Sequence, residues 1–500
     1  MDLAESALPS EDDAIATAGE TTARDARQAS RRERLLWRIF GVLLALATWT
    51  AAVGAIGATY RHGMASYGHD FYQFWLVGDV IRGYEPAPER PVLDIYSQQA
   101  FVEMGRRYAE LAVNKPPRQR QAAAARATLH NLGTPFHYYV FSLLARGEYE
   151  AAFDRYILVS IGCLMAMIAA LGWRLGYSVA GSGAATALAF WSAPVFSEFN
   201  VVNVNCLQIA AWVGYLMIRD QARQKSRAAA FWLLLAGILA GMLLVFKPNV
   251  LLVLPLLGLR RWLGAARREQ LGEAVGLGAG IVMAVGVSAH AFGGLEIYST
   301  AIKGVIELGK HPTTPSIMGN IALTRTILER TGWDLTMPLT ALMVVMALAA
   351  IWHGSRRSLA ANGANGADSA SKVGGRVEFQ HDLAVFGIGC AISLLTAGLA
   401  WLHYPILIFP LLMLAGGMIR PTRIGMPATM GLLVLLAIAA GGLLCLPLIG
   451  ALGDEGIRIR ITPWTGVHCM QIALLATLAI GLWMEGGLLK KAGEGGQWAV

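Results

Sequence analysis

TPFHYYVFSLLARG, residues 134–147, decides how the rest of the chain is threaded. Its apolar part is about a dozen residues, whereas a helix needs about 20 to cross a bilayer core. A run of this length reads as a re-entrant or interfacial piece. Outward from it, longer apolar runs recur from residue 39 to residue 484. They fall at 39–58, 152–173, 180–197, 203–218, 228–246, 249–263, 271–292, 338–353, 382–401, 404–419, 427–449 and 468–484. Loop charge supports leaving 134–147 out of the count. Arg219, Arg223, Lys225 and Arg227 occupy one loop, and Arg260, Arg261, Arg267 and Arg268 another. Arg356, Arg357, Lys372 and Arg376 occupy a third, Arg420 and Arg423 a fourth, and Lys490 and Lys491 close the chain. All fall on the cytoplasmic side only if 134–147 does not span, because basic loops stay inside. Both termini are then cytoplasmic.

Composition agrees. The 500 residues are 55% hydrophobic and 15% charged, with mean hydropathy +0.49, against about 25% charged residues in soluble domains. The expected fold is all-α: a polytopic integral membrane helical bundle of about twelve transmembrane helices, with a long first extracytoplasmic loop carrying amphipathic helices. The net charge of +8 belongs to the cytoplasmic loops and does not point to nucleic acid. Cys163, Cys206, Cys390, Cys445 and Cys469 are scattered and read as buried thiols, not as a disulfide framework or a metal site. The expected organisation is a disordered cytoplasmic tail at 1–34, acidic then basic, and an N-terminal transmembrane catalytic bundle at 35–353 with the outer loop 60–133. A Gly/Ala/Ser/Asn-rich flexible linker at 354–381 follows, then a C-terminal bundle at 382–486 and a cytoplasmic tail at 487–500.

The outer loop opens with HDFYQFWLVGDVIRGYEP, residues 69–86. Phe71, Phe74, Trp75, Gly78 and Ile81 share one helical face, and Gly83 and Pro86 supply a stop. The spacing predicts a helix lying at the membrane surface with the lone carboxylate of Asp70 at its mouth. The simpler reading is that Asp70 caps the helix, with Gln73 completing a capping box.

Other polar residues at span ends gather on the same outer side: Asn200, Asn203 and Asn205, Lys247 with Pro248 and Asn249, His311 and Asn320, His403 and Tyr404, and Arg458 and Arg460. Each has an ordinary alternative. Lys247 can snorkel to headgroups, His403 can belong to an aromatic belt, the asparagines can cap helices, and the arginines can meet lipid phosphates or water. Together, beside apolar spans and a long aromatic loop, they suit a site at the membrane–water boundary. The sequence carries no His/Cys metal constellation, P-loop, GxSxG or dinucleotide fingerprint. A single carboxylate suits transfer from a lipid-phosphate donor, whose departing phosphate is already a stable anion. One general base on the acceptor hydroxyl is enough, and cations stabilise the departing charge. Glycoside hydrolysis needs two carboxylates.

The order of these features resembles glycosyltransferase family 87, in the GT-C superfamily of polyprenyl-phosphate-sugar-dependent transferases. Asp70–Tyr72, Gly83–Pro86 and Tyr96 look like its opening motif, and Asn203-Val-Asn205 is similar to its Gly-Gln-x-Asn element without the glutamine. Lys247-Pro248-Asn249 looks like its Lys-Pro-Gln element, Gly319-Asn320 resembles the start of its Gly-Asn-Gln-Ser element, and Trp401-Leu-His403-Tyr404 looks like its His-Tyr motif. The resemblance covers roughly 35–420. It implies an inverting transfer of mannose or arabinofuranose from a polyprenyl-phosphate sugar, a co-substrate and not a cofactor, to a lipid-linked or cell-envelope glycan outside the plasma membrane. By the resemblance Asp70 would be the base and His403 a phosphate-binding or base-assisting residue, with Lys247, Asn205 and Asn320 as further carry-overs; Asn203, Tyr72 and, from their place in the last outer loop, Arg458 and Arg460 are expected to contact donor or substrate. No metal site is expected, and a divalent metal requirement stays open, since Asp79 and Glu198 can be recruited. The implied partners are the donor, the glycan acceptor and membrane lipids. The rival classes are a transporter or flippase for a lipid-linked solute, which would favour ionisable groups near span centres, and a non-catalytic lipid-binding scaffold.

Overall fold

The computed structural model describes residues 11–85, 92–126, 131–224, 228–264, 267–310, 320–364, 370–397, 399–419, 426–451 and 463–488. Among them there is no strand beyond a single bridge between Asn320 and Trp401. The helices are α1 (Glu11–Ala65), α2 (His69–Arg82), α3 (Gln98–Ala112), α4 (Pro117–Arg126), α5 (Pro135–Leu144), α6 (Tyr149–Leu175), α7 (Val179–Phe190), α8 (Ala193–Val201), α9 (Asn205–Gln224) and α10 (Ala229–Phe246). The series continues with α11 (Val253–Gly264), α12 (Arg267–Phe292), α13 (Glu296–Lys310), α14 (Leu323–Thr331), α15 (Thr336–Ala364), α16 (Ala370–Thr396), α17 (Phe409–Met418), α18 (Met426–Ala451) and α19 (Pro463–Trp483). The protein is an all-α polytopic membrane bundle.

Eight helices among the described residues are long and apolar enough to cross a membrane, and the bent pair α7–α8 makes a ninth. The apolar runs predict about twelve, and three of them account for the difference. Run 203–218 lies in α9, whose polar ends, Asn205 and Gln208 at one and Arg219, Asp220 and Arg223 at the other, lower its hydropathy. Run 249–263 is broken by a 3-10 turn at Pro248–Val250 before the 12-residue α11. Run 404–419 is a 3-10 turn, Tyr404–Ile408, followed by the ten-residue α17. Prolines at 248, 405 and 410 sit at these breaks because each lacks an N–H for the helix ladder. α1 begins at Glu11, in a segment rich in Ala, Glu and Arg, which are good helix formers.

α5 is the stretch that decided the threading. Its ten residues rise about 15 Å, half a bilayer core. Thr134 caps it by accepting the His137 N–H at 3.1 Å, and Pro135 follows in the first turn. α5 packs on α2 so closely that a Cβ on Gly78 would lie 3.0 Å from Ser142 Cα. This corrects the expectation for α2, which is not an amphipathic helix lying on a surface. Phe71, Tyr72, Gln73, Phe74, Leu76, Val77, Gly78 and Ile81 are all buried, so helices cover it on several sides.

α16 is the central element. The apolar stretch of its span, Val377–Thr396, is wholly buried, whereas that of Glu33–Ala65 in α1 is 11% buried and presents its side chains outward. α16 packs against α9, α11, α15, α17 and α19. α10 and α12 make the closest pair. A Cβ on Gly237 or Gly241 would fall 2.2 or 2.3 Å from the carbonyl oxygens of Glu273 and Leu277, and one on Gly276 or Gly280 would meet α10 backbone as tightly. Small residues four apart on both helices allow this approach.

The loop arginines also need correction. Arg219, Arg260 and Arg261 are 4–5% exposed and do not lie in a solvated loop. Arg219 donates to Asp382 and, at 3.0 Å, to Glu273. Arg223 reaches Asp382 at 3.0 Å, Arg260 reaches Glu378 at 2.6 Å, and Arg261 reaches Glu273. His381 bonds Glu485 at 2.7 Å, in a π-helical turn after α19. Arginines from α9 and α11 thus meet acids from α12, α16 and that turn, joining the bundle at the end where α9 finishes.

Candidate active site

α9 begins at the opposite end, and the site is built there. α8 ends at Val201, and Val202 turns the chain with φ +57°, a left-handed conformation that a β-branched residue adopts only under strain. The turn points Asn203 and Asn205 at two different carboxylates. Asn203 Nδ2 donates to Asp70 Oδ2 at 2.7 Å, and Asn205 Nδ2 donates to Glu198 Oε2 at 2.7 Å. Glu198 Oε1 also accepts the Asn205 and Cys206 N–H groups at 2.7 and 3.4 Å, capping α9. Each amide therefore turns its oxygen away from its carboxylate. Both oxygens accept from one ammonium: Lys247 Nζ lies 3.0 Å from Asn203 Oδ1 and 2.8 Å from Asn205 Oδ1. Lys247 follows the last residue of α10, and its Nζ sits 4.5 Å from the centre of the Tyr404 ring. The result is one hydrogen-bonded chain, Asp70–Asn203–Lys247–Asn205–Glu198, drawn from α2, the α8–α9 junction and the end of α10.

Asp70 does not cap α2. Gly68 takes that position with φ +58° and Asp70 lies in the first turn. Gln73 forms no capping box: its amide donates to Asn131 and, at 2.6 Å, to the Tyr138 hydroxyl. Arg126, the last residue of α4, reaches Asp70 Oδ1 at 3.2 Å, and His69 Nε2 lies 3.6 Å away. Burial pushes the Asp70 carboxyl up, but the surrounding groups outweigh it and hold the pKa below its ordinary value: His69, Arg126, His403 and the Asn203 bond. Burial and the Lys247 charge lower His403 and His137 to about 3 each, so both imidazoles are neutral at neutral pH. Burial lowers Lys247 to about 8, while Glu198 and Asp70 hold it up. Asp70 is then an ionised base beside a cation and two neutral imidazoles.

His403 Nε2 and His137 Nε2 are buried with no hydrogen-bond partner among the described residues. Leaving such a nitrogen unsatisfied costs about 1–3 kcal/mol. His137 is stacked on Phe246 with ring centres 4.8 Å apart, and Thr134 Oγ1 donates to the Phe246 carbonyl at 3.0 Å, so α5 and the end of α10 are tied together. Asn320 acts on backbone: its Oδ1 accepts the N–H groups of Ala322 and Ala400, each at 3.1 Å. Ile321 N–H adds a bond to Ala400 O at 2.7 Å, fixing the segment that carries His403. Tyr72, two residues from Asp70, faces the other side of α2, among Trp75, Tyr108 and Tyr149. Asp79 pairs with Arg82 at 3.1 Å. Arg458, Arg460, His311 and Gly319 lie outside the described residues.

The fold therefore brings Asp70, Asn203, Asn205 and Lys247 into one chain, with His403 close enough to act electrostatically on Asp70. Sequence reasoning missed Arg126, His69 and His137, and saw Glu198 only as a possible metal recruit. Only His69, adjacent to Asp70, carried a local signal.

The family model described as Glycosyltransferase family 87 matches residues 131–370. That stretch holds His137, Glu198, Asn203, Asn205, Lys247 and Asn320, while Asp70 and His403 flank it in sequence and join it through the fold. No curated protein and no solved structure matches the chain. Over residues 131–370 this membrane bundle is similar to glycosyltransferase family 87, and that similarity supports a membrane glycosyltransferase.

Proposed function

We propose that the enzyme transfers a sugar of the mannose or arabinofuranose class from a polyprenyl-phosphate donor to a lipid-linked or cell-envelope glycan, with inversion. The reaction takes place on the extracytoplasmic face of the plasma membrane. One observation carries this reading. An ionised, half-buried carboxylate, Asp70, shares a hydrogen-bonded chain with an ammonium, Lys247, that contacts two amide oxygens and no carboxylate among the described residues.

Asp70 accepts the proton of the acceptor hydroxyl. The acceptor oxygen attacks the anomeric carbon as the bond from that carbon to the phosphate oxygen breaks, and the electron pair leaves with the polyprenyl phosphate. Lys247 compensates the phosphate charge. His403, neutral and buried, donates an N–H to a phosphate oxygen. Arrival of the anion raises the proton affinity of both groups and so strengthens their hold. Asn203 and Asn205 orient Lys247, and Asn320 steadies the His403 segment. Arg458 and Arg460 are proposed as further phosphate contacts, and Tyr72 as packing behind the Asp70 face.

The test presents purified protein in nanodiscs with labelled polyprenyl-phosphate sugars and nucleotide sugars, together with a lipid-linked glycan acceptor. Transfer from at least one polyprenyl-phosphate sugar and from no nucleotide sugar is the expected outcome. Transfer from nucleotide sugars alone would refute the donor assignment.

A further inference from the structure

Glu198 is a buried carboxylate that the proposed mechanism does not use, 1% exposed and held by three donors. Capping α9 explains only one of its oxygens. Oε1 takes the two backbone N–H groups and Oε2 takes the Asn205 side chain. A carboxylate accepts and never donates when ionised, whereas an amide has one accepting and one donating end. Glu198 therefore dictates which way round Asn205 stands and leaves its oxygen facing Lys247. Asp70 does the same to Asn203 on the other side. We infer that Glu198 is a positioning residue for Lys247, setting the orientation of the Asn205 amide so that its oxygen faces the ammonium and aims it at the donor phosphate. The inference rests on the assignment of Lys247 to that phosphate. The strained Val202 between the two carboxylate-bound segments fits this role, because a relaxed turn would release Asn203 and Asn205 from their common target.

A glutamine at 198 keeps an oxygen for the two backbone N–H groups but presents an NH₂ to Asn205. The asparagine then flips and turns its own NH₂ toward the ammonium. Glu198→Gln removes one acceptor from Lys247 and one negative charge from its surroundings. Lys247 is otherwise influenced by Asp70 of α2, His137 of α5, and His403 and Tyr404 of the loop before α17. The double variant E198Q/N205D restores the pattern, since the carboxylate then at position 205 accepts from the amide at position 198 with one oxygen and from Lys247 with the other.

Two readouts are taken in nanodiscs on wild type, E198Q and E198Q/N205D: affinity for a polyprenyl monophosphate, and the pH midpoint of reductive methylation of Lys247 by mass spectrometry. E198Q is expected to weaken the monophosphate at least about tenfold and to lower the Lys247 midpoint by about one pH unit. E198Q/N205D is expected to recover both, to within about threefold and about half a unit. A purely structural cap would shift the Lys247 midpoint through the lost charge but leave the monophosphate affinity of E198Q like wild type, because its backbone bonds survive, and that unchanged affinity overturns the inference. So does a folded double variant, with wild-type melting temperature, that stays as impaired as E198Q. If wild type itself fails to bind the monophosphate, the donor assignment falls, and the inference falls with it.

Discussion

At the scale of single residues, the site is a set of charges held in opposite states by burial. Asp70 stays ionised because its neighbours, His69 and Arg126 foremost, outweigh its desolvation, whereas at His137 and His403 desolvation prevails and the rings stay neutral. The sign of the stability effect follows. An unfolded histidine takes up a proton near pH 6.5, whereas these two do so only near pH 3. The unfolded chain binds more protons between those values, so stability falls as the pH drops from about 6.5 toward 3. At pH 5 each histidine accounts for about 2 kcal/mol. Asp70 is silent between pH 7 and pH 5, since its lowered pKa withdraws stability only when the pH falls below about 4. The contribution of these two histidines to thermal melting in detergent is expected to decline from pH 7 to pH 5, so His137→Gln and His403→Gln should each melt with less acid destabilisation than wild type. An unchanged slope in both variants would mean that the imidazoles are protonated in the folded protein. Asp70 and Lys247 were legible in the sequence because each is a lone charge beside apolar runs. Arg126 and Glu198 were not. Arg126 serves a group 56 residues away across the bundle, and Glu198 acts across a helix junction that no periodicity marks.

At the scale of elements, position depends on close helix contacts as much as on the side chains that do the chemistry. α10 delivers Lys247 from its C-terminal end, and its height against α12 is fixed by Gly237 and Gly241 lying against the carbonyls of Glu273 and Leu277. Gly241→Ile has no room. Overpacking of this kind costs on the order of 1–3 kcal/mol, and it lifts α10 and Lys247 with it. Lower melting temperature together with at least about tenfold less transfer is expected. A variant with normal melting and normal turnover would show that α10 is not held by this contact. The short length of 134–147 was enough to read α5 as non-spanning, because length alone sets that limit. The burial of α2 was not legible. Its apolar face was visible, but whether lipid or protein covers a face depends on which helices fold over it, here α4, α5 and α6.

At the scale of the whole molecule, two polar centres sit at opposite ends of α9. Asn205 starts the helix, and Arg219 and Arg223 near its end are 14 and 18 residues further on, about 20–27 Å at the rise of an α-helix. The far centre ties α9, α11, α12 and α16 together through Asp382, which meets Arg219 and Arg223 directly. Removing one partner from a buried network leaves uncompensated charge and costs on the order of 3–5 kcal/mol. Asp382→Ala should therefore insert poorly or melt far below wild type, as read by fluorescence-detected size exclusion after heating. A melting point within a few degrees of wild type would contradict the network's role as a clamp. The sequence made the polytopic helical class plain through composition, but it placed these arginines in solvated loops. Charge patterning alone cannot distinguish a loop arginine from one whose acid lies more than a hundred residues away.

Single-turnover transfer from a saturating polyprenyl-phosphate sugar, compared between wild type and Asp70→Asn with folding and insertion verified in each, isolates the contribution of the Asp70 carboxylate. Loss of a general base is expected to slow transfer about 10²–10⁴-fold while the variant still inserts and melts like wild type. Transfer at the wild-type rate by the Asp70→Asn enzyme would contradict the account.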